Sequence, residues 1–305
     1  STGIGAKHVL YNLAEALLDE CDTIAFPAPY WTTYVDIAEI VNAKILELPC
    51  PASQDYKLTV EQLDAALATK PKVFLFNNPS NPTGMVYTKE EIIALAEVLV
   101  KYPETWIITD DIYNRMLFDG LEYYNFVQAR PELRERTVFV DSLSKTYGMP
   151  GWRVGFMAGP ESIAKAVTTL NSNHITNIPE VTTAAAIAAL SGPQDVTEAK
   201  NLEFQGKRDL VMAALAAIPG VVCPRPQGAF YVFPDISVAF GKSHNGTVIH
   251  DDVEFCSALL EAKGVACVPG SAFGEPRALR ISYTCPTPQL APGMQRIQEF
   301  FAELK

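Results

Sequence analysis

The sequence has few of the features that mark several large protein classes. No apolar run reaches the ~18 residues that a transmembrane helix needs. Lys and Arg number 24 against 35 Asp and Glu, a net charge of −11, so the chain would repel the like charge of nucleic acid and of anionic membrane surfaces. The four histidines show no metal-ligand spacing, and we expect no metal site: His8, His174, His244 and His250.

Cysteine is also sparse and scattered. The six cysteines form no C-x-x-C pair, which argues against a zinc cage and against a disulfide scaffold. Free thiols are typical of proteins in a reducing compartment, so we expect a cytoplasmic protein.

What is present is typical of a large globular enzyme. With 305 residues and 48% hydrophobic residues, the chain can bury a substantial core, and this composition excludes intrinsic disorder. The 18 Gly and 22 Pro are scattered without a period, which excludes a collagen-like chain. The length predicts one large domain, or a large domain with a smaller one.

Short apolar runs alternate with helical patterns in the first part of the chain. Helix Val60–Ala68 is predicted, with Thr59 and Gln62 forming a capping box. The predicted strands are Asp22–Pro27, Lys44–Leu48, Lys72–Phe76, Thr105–Thr109 and Thr137–Val140. Apolar strands that alternate with helices predict an α/β fold, with a mostly parallel central sheet and helices on both faces.

The pattern changes after about residue 190. A long helix near Glu198–Ile218 precedes two predicted strands, Ala229–Phe233 and Ala278–Tyr283, with helix Asp252–Lys263 between them. This order is typical of a smaller α+β domain. A turn at Ser191-Gly192-Pro193 marks the boundary, so we predict a large domain over 1–195 and a small one over 196–305.

Polar and aromatic side chains follow the predicted strands where each strand ends. In an open parallel sheet, ligands bind at the carboxyl ends of the strands. The residues that follow the strands are Trp31 after the first, Asn77 to Gly84 after the third, Asp110 to Tyr113 after the fourth, and Asp141 to Lys145 after the fifth. The sequence therefore predicts an active site on this rim.

Four motifs resemble one enzyme family. NNPSNPTG, DDIY, SLSKTYGMPGWRVG and ALRISY occur in the order found in class I pyridoxal-phosphate (PLP) aminotransferases, and within them the chain is most similar to the bacterial aspartate aminotransferases. The resemblance covers nearly the whole chain. It implies the fold type I of PLP-dependent transferases, a homodimer, and amino-group transfer between an L-amino acid and a 2-oxo acid by a ping-pong mechanism. Chains of this family usually carry a further segment before the phosphate-binding turn, and this sequence starts almost on that turn.

The resemblance also assigns the cofactor residues. It implies that Lys145 forms a Schiff base with the aldehyde of PLP and then moves the proton between substrate and cofactor. Asp110 faces the pyridine nitrogen; Asp111 is its competitor, but only Asp110 stands three residues before Tyr113, as the family pattern D-x-x-Y requires. Tyr113 and Asn81 bind the phenolic oxygen of the ring.

Two further groups of residues complete the implied site. Trp31 stacks on the cofactor ring and, with Asn81, lines the substrate pocket. The implied phosphate site is a helix N-terminus, where free backbone N–H groups and the helix dipole favour an anion. A serine hydroxyl and an arginine guanidinium complete it. These phosphate-binding positions are Gly5, Ala6, Lys7, Ser142 and Arg153.

The substrate carboxylates have their own implied partners. Arg280, inside ALRISY, clamps the α-carboxylate, with Arg277 as a near competitor. Lys7 matches a position at which one subgroup reads the distal carboxylate of aspartate or glutamate. Other aspartate aminotransferases use an arginine near the segment 172–179 of the partner subunit, where this chain has none, so the predicted preference for aspartate depends on Lys7.

Three alternatives stay open at this point. Aromatic or other amino acids are possible substrates of the same site. A β-lyase or another PLP chemistry would use every cofactor residue named above. A non-catalytic scaffold is the third alternative, and it is opposed by the joint retention of Lys145, Asp110, Tyr113, Asn81, Arg153 and Arg280.

Overall fold

The computed structural model describes residues 1–305 and contains one large sheet beside smaller ones. The strands of the large sheet are β1 Thr2–Gly3, β2 Thr23–Ala28, β3 Lys44–Pro49, β4 Val73–Asn77, β5 Trp106–Asp110, β6 Thr137–Ser142 and β7 Gly155–Ala158. Their order across the sheet is β1-β7-β6-β5-β4-β2-β3. The pairs from β3 to β6 are parallel, whereas β7 runs antiparallel to both β6 and β1. The predicted mostly parallel sheet is therefore confirmed.

The predicted strands lie one or two residues from the observed ones. The strand predicted over Lys72–Phe76 begins and ends one residue later, at Val73 and Asn77, and the strand predicted over Thr137–Val140 continues to Ser142. The reason is that polar residues at these carboxyl ends still pair with their neighbours, as Asn77 does with Asp110. Hydrophobicity marks the buried part of a strand and misses its polar end.

Eleven helices surround the sheets: α1 Ala6–Leu17, α2 Thr33–Ile40, α3 Val60–Ala68, α4 Lys89–Val100, α5 Phe126–Ala129, α6 Leu143–Thr146, α7 Glu161–His174, α8 Glu180–Ser191, α9 Asp195–Ala216, α10 Asp252–Lys263 and α11 Thr287–Glu303. The capping box at Thr59 and Gln62 is present, with both reciprocal hydrogen bonds. None of the helices has the length and apolar character to cross a membrane.

The C-terminal part carries five short strands, β8 Tyr231–Val232, β9 Ser243–His244, β10 Thr247–Val248, β11 Val268–Pro269 and β12 Leu279–Ser282. Strand β12 lies between β11 and β8, antiparallel to both. The strand predicted over Ala229–Phe233 is only two residues long, because the backbone before it pairs with the first half of the chain instead.

That pairing is made by residues 226–229, which we call the tether. Gly84 O accepts hydrogen bonds from the backbone N–H groups of Gln227 and Gly228, and Met116 O accepts one from Ala229. Gly84 has a φ of +69°, and a Cβ there would stand 2.7 Å from the side chain of Pro226. The tether therefore fixes the entrance of β8 to the rim of the large sheet.

Candidate active site

The carboxyl ends of β4 and β5 hold two predicted site residues in place. Asn77 ends β4 and lies opposite Asp110, the last residue of β5. The Asn77 amide donates to the Asp110 carbonyl oxygen at 2.7 Å, and its own Oδ1 accepts the backbone N–H of Asn81 at 2.8 Å. One side chain thus connects the Asp110 strand end to the Asn81 loop.

Asp110 is a buried carboxyl with one strong partner. Its side chain is 3% exposed, and the Tyr34 hydroxyl donates to its Oδ2 at 2.7 Å. Burial raises the pKa of Asp110 to about 6, while the hydrogen bond from Tyr34 and the charge of Lys145 act in the opposite direction. The free carboxylate therefore lacks a full counter-charge, which a cation at the site would supply.

Its neighbour Asp111 is directed elsewhere. Asp111 Oδ2 accepts from the Thr109 hydroxyl at 2.9 Å, and burial raises its pKa well above the usual range. Asp110 is the carboxyl whose pKa the charge of Lys145 lowers, and Asp110 in turn raises the pKa of Lys145. The spacing argument for Asp110 over Asp111 agrees with this placement.

Lys145 lies on the four-residue helix α6, which follows β6 directly. Ser142 caps this helix by accepting the backbone N–H of Ser144 at 3.0 Å. The Lys145 ammonium lies 5.1 Å from the ring centre of Phe230. Burial, followed by the charge of Arg280, lowers the pKa of Lys145, against the opposing effect of Asp110.

The predicted phosphate residues form a cradle at the N-terminus of α1. Gly5 is the residue before the helix, has a φ of +97° and makes no side-chain cap, so the first N–H groups of the helix remain available. The Arg153 guanidinium donates to the Ile4 carbonyl oxygen at 3.0 Å and to Pro150 O at 2.8 Å. A Cβ on Gly5 would collide with this guanidinium. Gly5, Ala6, Lys7 and Arg153 therefore lie together at the start of α1, and their binding of a phosphate with Ser142 stays a prediction.

Arg280 and Arg277 differ in their surroundings. Arg277 is exposed and paired with Glu275 at 3.1 Å. The Arg280 guanidinium instead lies between two rings, 4.6 Å from that of Tyr231 and 4.7 Å from that of Phe273. It has no carboxylate partner, and its buried Nε has no hydrogen-bond partner at all.

Arg280 also reaches the first half of the chain. Its Nη1 donates to Asn81 Oδ1 at 2.9 Å, although the two residues are 199 positions apart. A half-buried guanidinium with free donors on this rim is suited to bind a carboxylate.

The remaining predicted residues lie on the same rim. The Tyr113 hydroxyl is 3.0 Å from that of Tyr231. Trp31 is half-buried and packs edge-on against Tyr34 at 5.7 Å, and the exposed Lys7 places its ammonium 5.0 Å from the Trp31 ring centre. Lys7 therefore sits close to both the cradle and the indole.

Sequence reasoning missed three residues of this site. Tyr34 follows Trp31 by three positions, and helical spacing from Trp31 could have found it. Phe230 and Tyr231 come from β8 and its entrance, and no local pattern relates them to Lys145 or Tyr113. Their contacts arise only from the tertiary arrangement.

The comparison with known families identifies the chain. Residues 1–297 match the family described as "Aminotransferase class I and II". The chain belongs to this family. Enzymes of the family depend on PLP, and the chain is an aminotransferase.

Relatives of this aminotransferase are similar over its whole length. An aspartate/prephenate aminotransferase of Cereibacter sphaeroides is 43% identical over 305 residues, which cover 100% of this chain and 76% of the relative. The crystal structure of the Rhizobium meliloti aspartate aminotransferase superposes with a TM-score of 0.97 at 38% identity, over 100% of this chain and 76% of the other. An aromatic aminotransferase of Pyrococcus horikoshii superposes with a TM-score of 0.91 at 28% identity, over 99% and 79%. The fold type inferred from the motifs is thus confirmed.

Proposed function

We propose that this aminotransferase binds PLP and moves the amino group of a dicarboxylic L-amino acid, aspartate or glutamate, to a 2-oxo acid in two half-reactions. The observation that carries the proposal is the meeting of Lys145, Asp110 and Arg280 on one rim. Each of them lacks the partner that PLP or an amino acid would supply. The names of the two aspartate aminotransferase relatives support the choice of substrate.

The residues present fit PLP at both of its ends. Gly5, Ala6, Lys7, Ser142 and Arg153 would hold the phosphate, and a side chain at position 5 would fill the space beside Arg153. The carboxylate of Asp110 would hold the pyridine nitrogen as a cation, which offsets the burial of that carboxylate. When bound, PLP supplies an electron sink for the bond broken at the substrate Cα.

Lys145 is suited to attach the cofactor and to move the proton. Its lowered pKa leaves more of its Nζ in the neutral form at physiological pH, and only the neutral amine is a nucleophile or a base. The Phe230 ring, 5.1 Å from that amine, would shield one side of it from water. Lys145 would therefore take the proton from the substrate Cα and deliver it to C4′ of the cofactor.

Two cations would orient the substrate. Arg280 would bind the α-carboxylate, because the neighbouring Tyr231 ring fixes the plane of its guanidinium and its Nε has no hydrogen-bond partner. Lys7, above the Trp31 ring, would bind the distal carboxylate. With Asn81 and Trp31 on either side, this arrangement favours a substrate with two carboxylates.

We also propose that the chain works as a homodimer of two-domain subunits in the cytoplasm. Large apolar side chains are exposed on α8 and near the cradle, among them Trp152 at 44% and Val181 at 68%, and a partner copy would cover them. One apolar cluster lies within residues 25–133, and another is formed by residues 211–300 with only Tyr113 and Met116 from the first half, which supports domains at 1–195 and 196–305. The six free cysteines favour a reducing compartment.

An absorbance spectrum tests the proposed function. The protein is incubated with PLP, desalted, and measured before and after addition of L-aspartate; Lys145→Ala is the matched control. We expect a visible band in the wild type that aspartate bleaches, and no such lysine-dependent band in the variant. A band that persists with aspartate but bleaches with another amino acid would overturn the substrate assignment, and the absence of any band would overturn PLP binding.

A further inference from the structure

Tyr231 contacts residues of the candidate active site in two independent ways. Its hydroxyl lies 3.0 Å from that of Tyr113, in the turn that follows β5. Its ring lies 4.6 Å from the Arg280 guanidinium carbon. Tyr231 itself is 6% exposed, so both contacts are made away from bulk water.

The geometry of β8 and β12 explains why one side chain reaches both partners. Tyr231 lies opposite Ser282 across the antiparallel pair, and side chains alternate along a strand. Tyr231 and Arg280 are thus diagonal neighbours on one face of the sheet. Side chains as long as tyrosine and arginine reach each other across this distance.

The tether fixes Tyr231 relative to the large sheet. Tyr231 stands two residues beyond Ala229, whose backbone N–H donates to Met116 O at 3.0 Å. At the other end of the tether, the fully buried Arg208 donates to Pro226 O at 2.9 Å and is paired with Asp119 at 2.6 Å. Tyr231 therefore has little freedom to move away from Tyr113.

We propose that Tyr231 is a positioning residue of the transamination site, whose hydroxyl orients Tyr113 toward the cofactor ring and whose ring face holds Arg280 ready for the substrate α-carboxylate. The inference rests on the proposed function, because Tyr113 and Arg280 matter only if PLP and an amino acid bind here. One residue thus connects the cofactor side and the carboxylate side of the site.

The two contacts can be removed separately. Tyr231→Phe keeps the ring under Arg280 but removes the hydroxyl from Tyr113. Tyr231→Leu removes both. Tyr283→Phe is the matched control, because the Tyr283 hydroxyl is also buried in the same apolar cluster but has no hydrogen-bond partner.

Two measurements distinguish the contacts. The first is the pH midpoint of the visible absorption of the PLP-loaded protein, which reports on the surroundings of the cofactor oxygen. We expect Tyr231→Phe to move this midpoint by at least about half a pH unit, since a changed hydrogen bond at Tyr113 changes the charge that the oxygen carries. The second is the dissociation constant of maleate, a dicarboxylate without an amine, measured by the same absorption.

We expect maleate to bind Tyr231→Phe with nearly wild-type affinity and Tyr231→Leu about tenfold more weakly, as loss of a desolvated cation–π contact predicts. The inference is overturned if Tyr231→Phe has the same pH midpoint as Tyr283→Phe, or if Tyr231→Leu binds maleate as the wild type does. Failure of the wild type itself to bind PLP would instead overturn the proposed function. Circular dichroism of each variant verifies that it is folded.

Discussion

Replacing Asp110 by Asn should stabilise the cofactor-free protein while destroying its activity. The carboxylate is buried and its pKa is raised to about 6, so folding has to remove an ionised group from water at neutral pH. Asparagine keeps an oxygen that accepts the hydrogen bond from Tyr34 but carries no charge. The variant should therefore fold more stably where the carboxylate of the wild type is ionised.

The magnitude follows from the pKa shift. A rise of about two units corresponds to about 3 kcal/mol of destabilisation well above both pKa values. Because the folded pKa lies above the unfolded one, the folded protein binds the proton more tightly, and the destabilisation is small below about pH 4 and grows as the pH rises through about 6. Subtracting about 1 kcal/mol for a weaker hydrogen bond from Tyr34 leaves a gain of about 2 kcal/mol at about pH 8.

The assay is urea unfolding of cofactor-free protein, followed by far-ultraviolet circular dichroism at about pH 8 and about pH 5. Asp141→Asn is the matched control for stability, because burial also raises the pKa of Asp141 to about 6. We expect both variants to gain stability over the wild type at the higher pH, and much less at the lower. A loss of stability for Asp110→Asn that is equal at both pH values would refute the reasoning, since it would show that the carboxylate is not the costly form.

Three further substitutions test the site from other directions. Lys7→Ala should raise the KM for aspartate about fivefold, because an exposed charge contact contributes up to about 1 kcal/mol, and it should leave the KM for a monocarboxylic amino acid unchanged; equal changes for both in steady-state kinetics would contradict its role. Arg280→Lys should lower kcat/KM about a hundredfold, because a point charge cannot replace the planar fork, and a near wild-type value would remove the clamp from the site. Gly5→Ala should weaken PLP binding by at least about tenfold in a fluorescence titration, since the new Cβ meets Arg153 at a positive φ; unchanged affinity would show that the cradle tolerates a side chain.

Local sequence signals predicted the framework of the protein well. The capping box at Thr59 and Gln62, the helix Asp252–Lys263 and the parallel strands follow from hydrogen-bonding chemistry and hydrophobic period, which act over a few residues. The ends of the strands were less accurate, because polar residues such as Asn77 extend the pairing beyond the apolar run.

The site was predicted as far as motifs and strand ends define it. Asp110, Lys145 and Arg280 follow from these signals, and the structure brings them together; their roles remain predictions. Tyr231 could not be found, since its contacts depend on the tether, whose pairing partners lie more than a hundred residues earlier in the chain. Long-range pairing of this kind leaves no periodic trace in a single sequence.

The edge position of β1 has a consequence for how the protein acquires its cofactor site during folding. Residues 2–3 join the sheet only through β7 at residues 155–156, so the turn at Gly5 cannot be held against Arg153 until β7 has been synthesised and packed. Contacts so distant in sequence close slowly, because a large loop has to be ordered before they form. The phosphate cradle therefore depends on a long-range contact of the large sheet, and we expect PLP binding to report that β1 and β7 have paired.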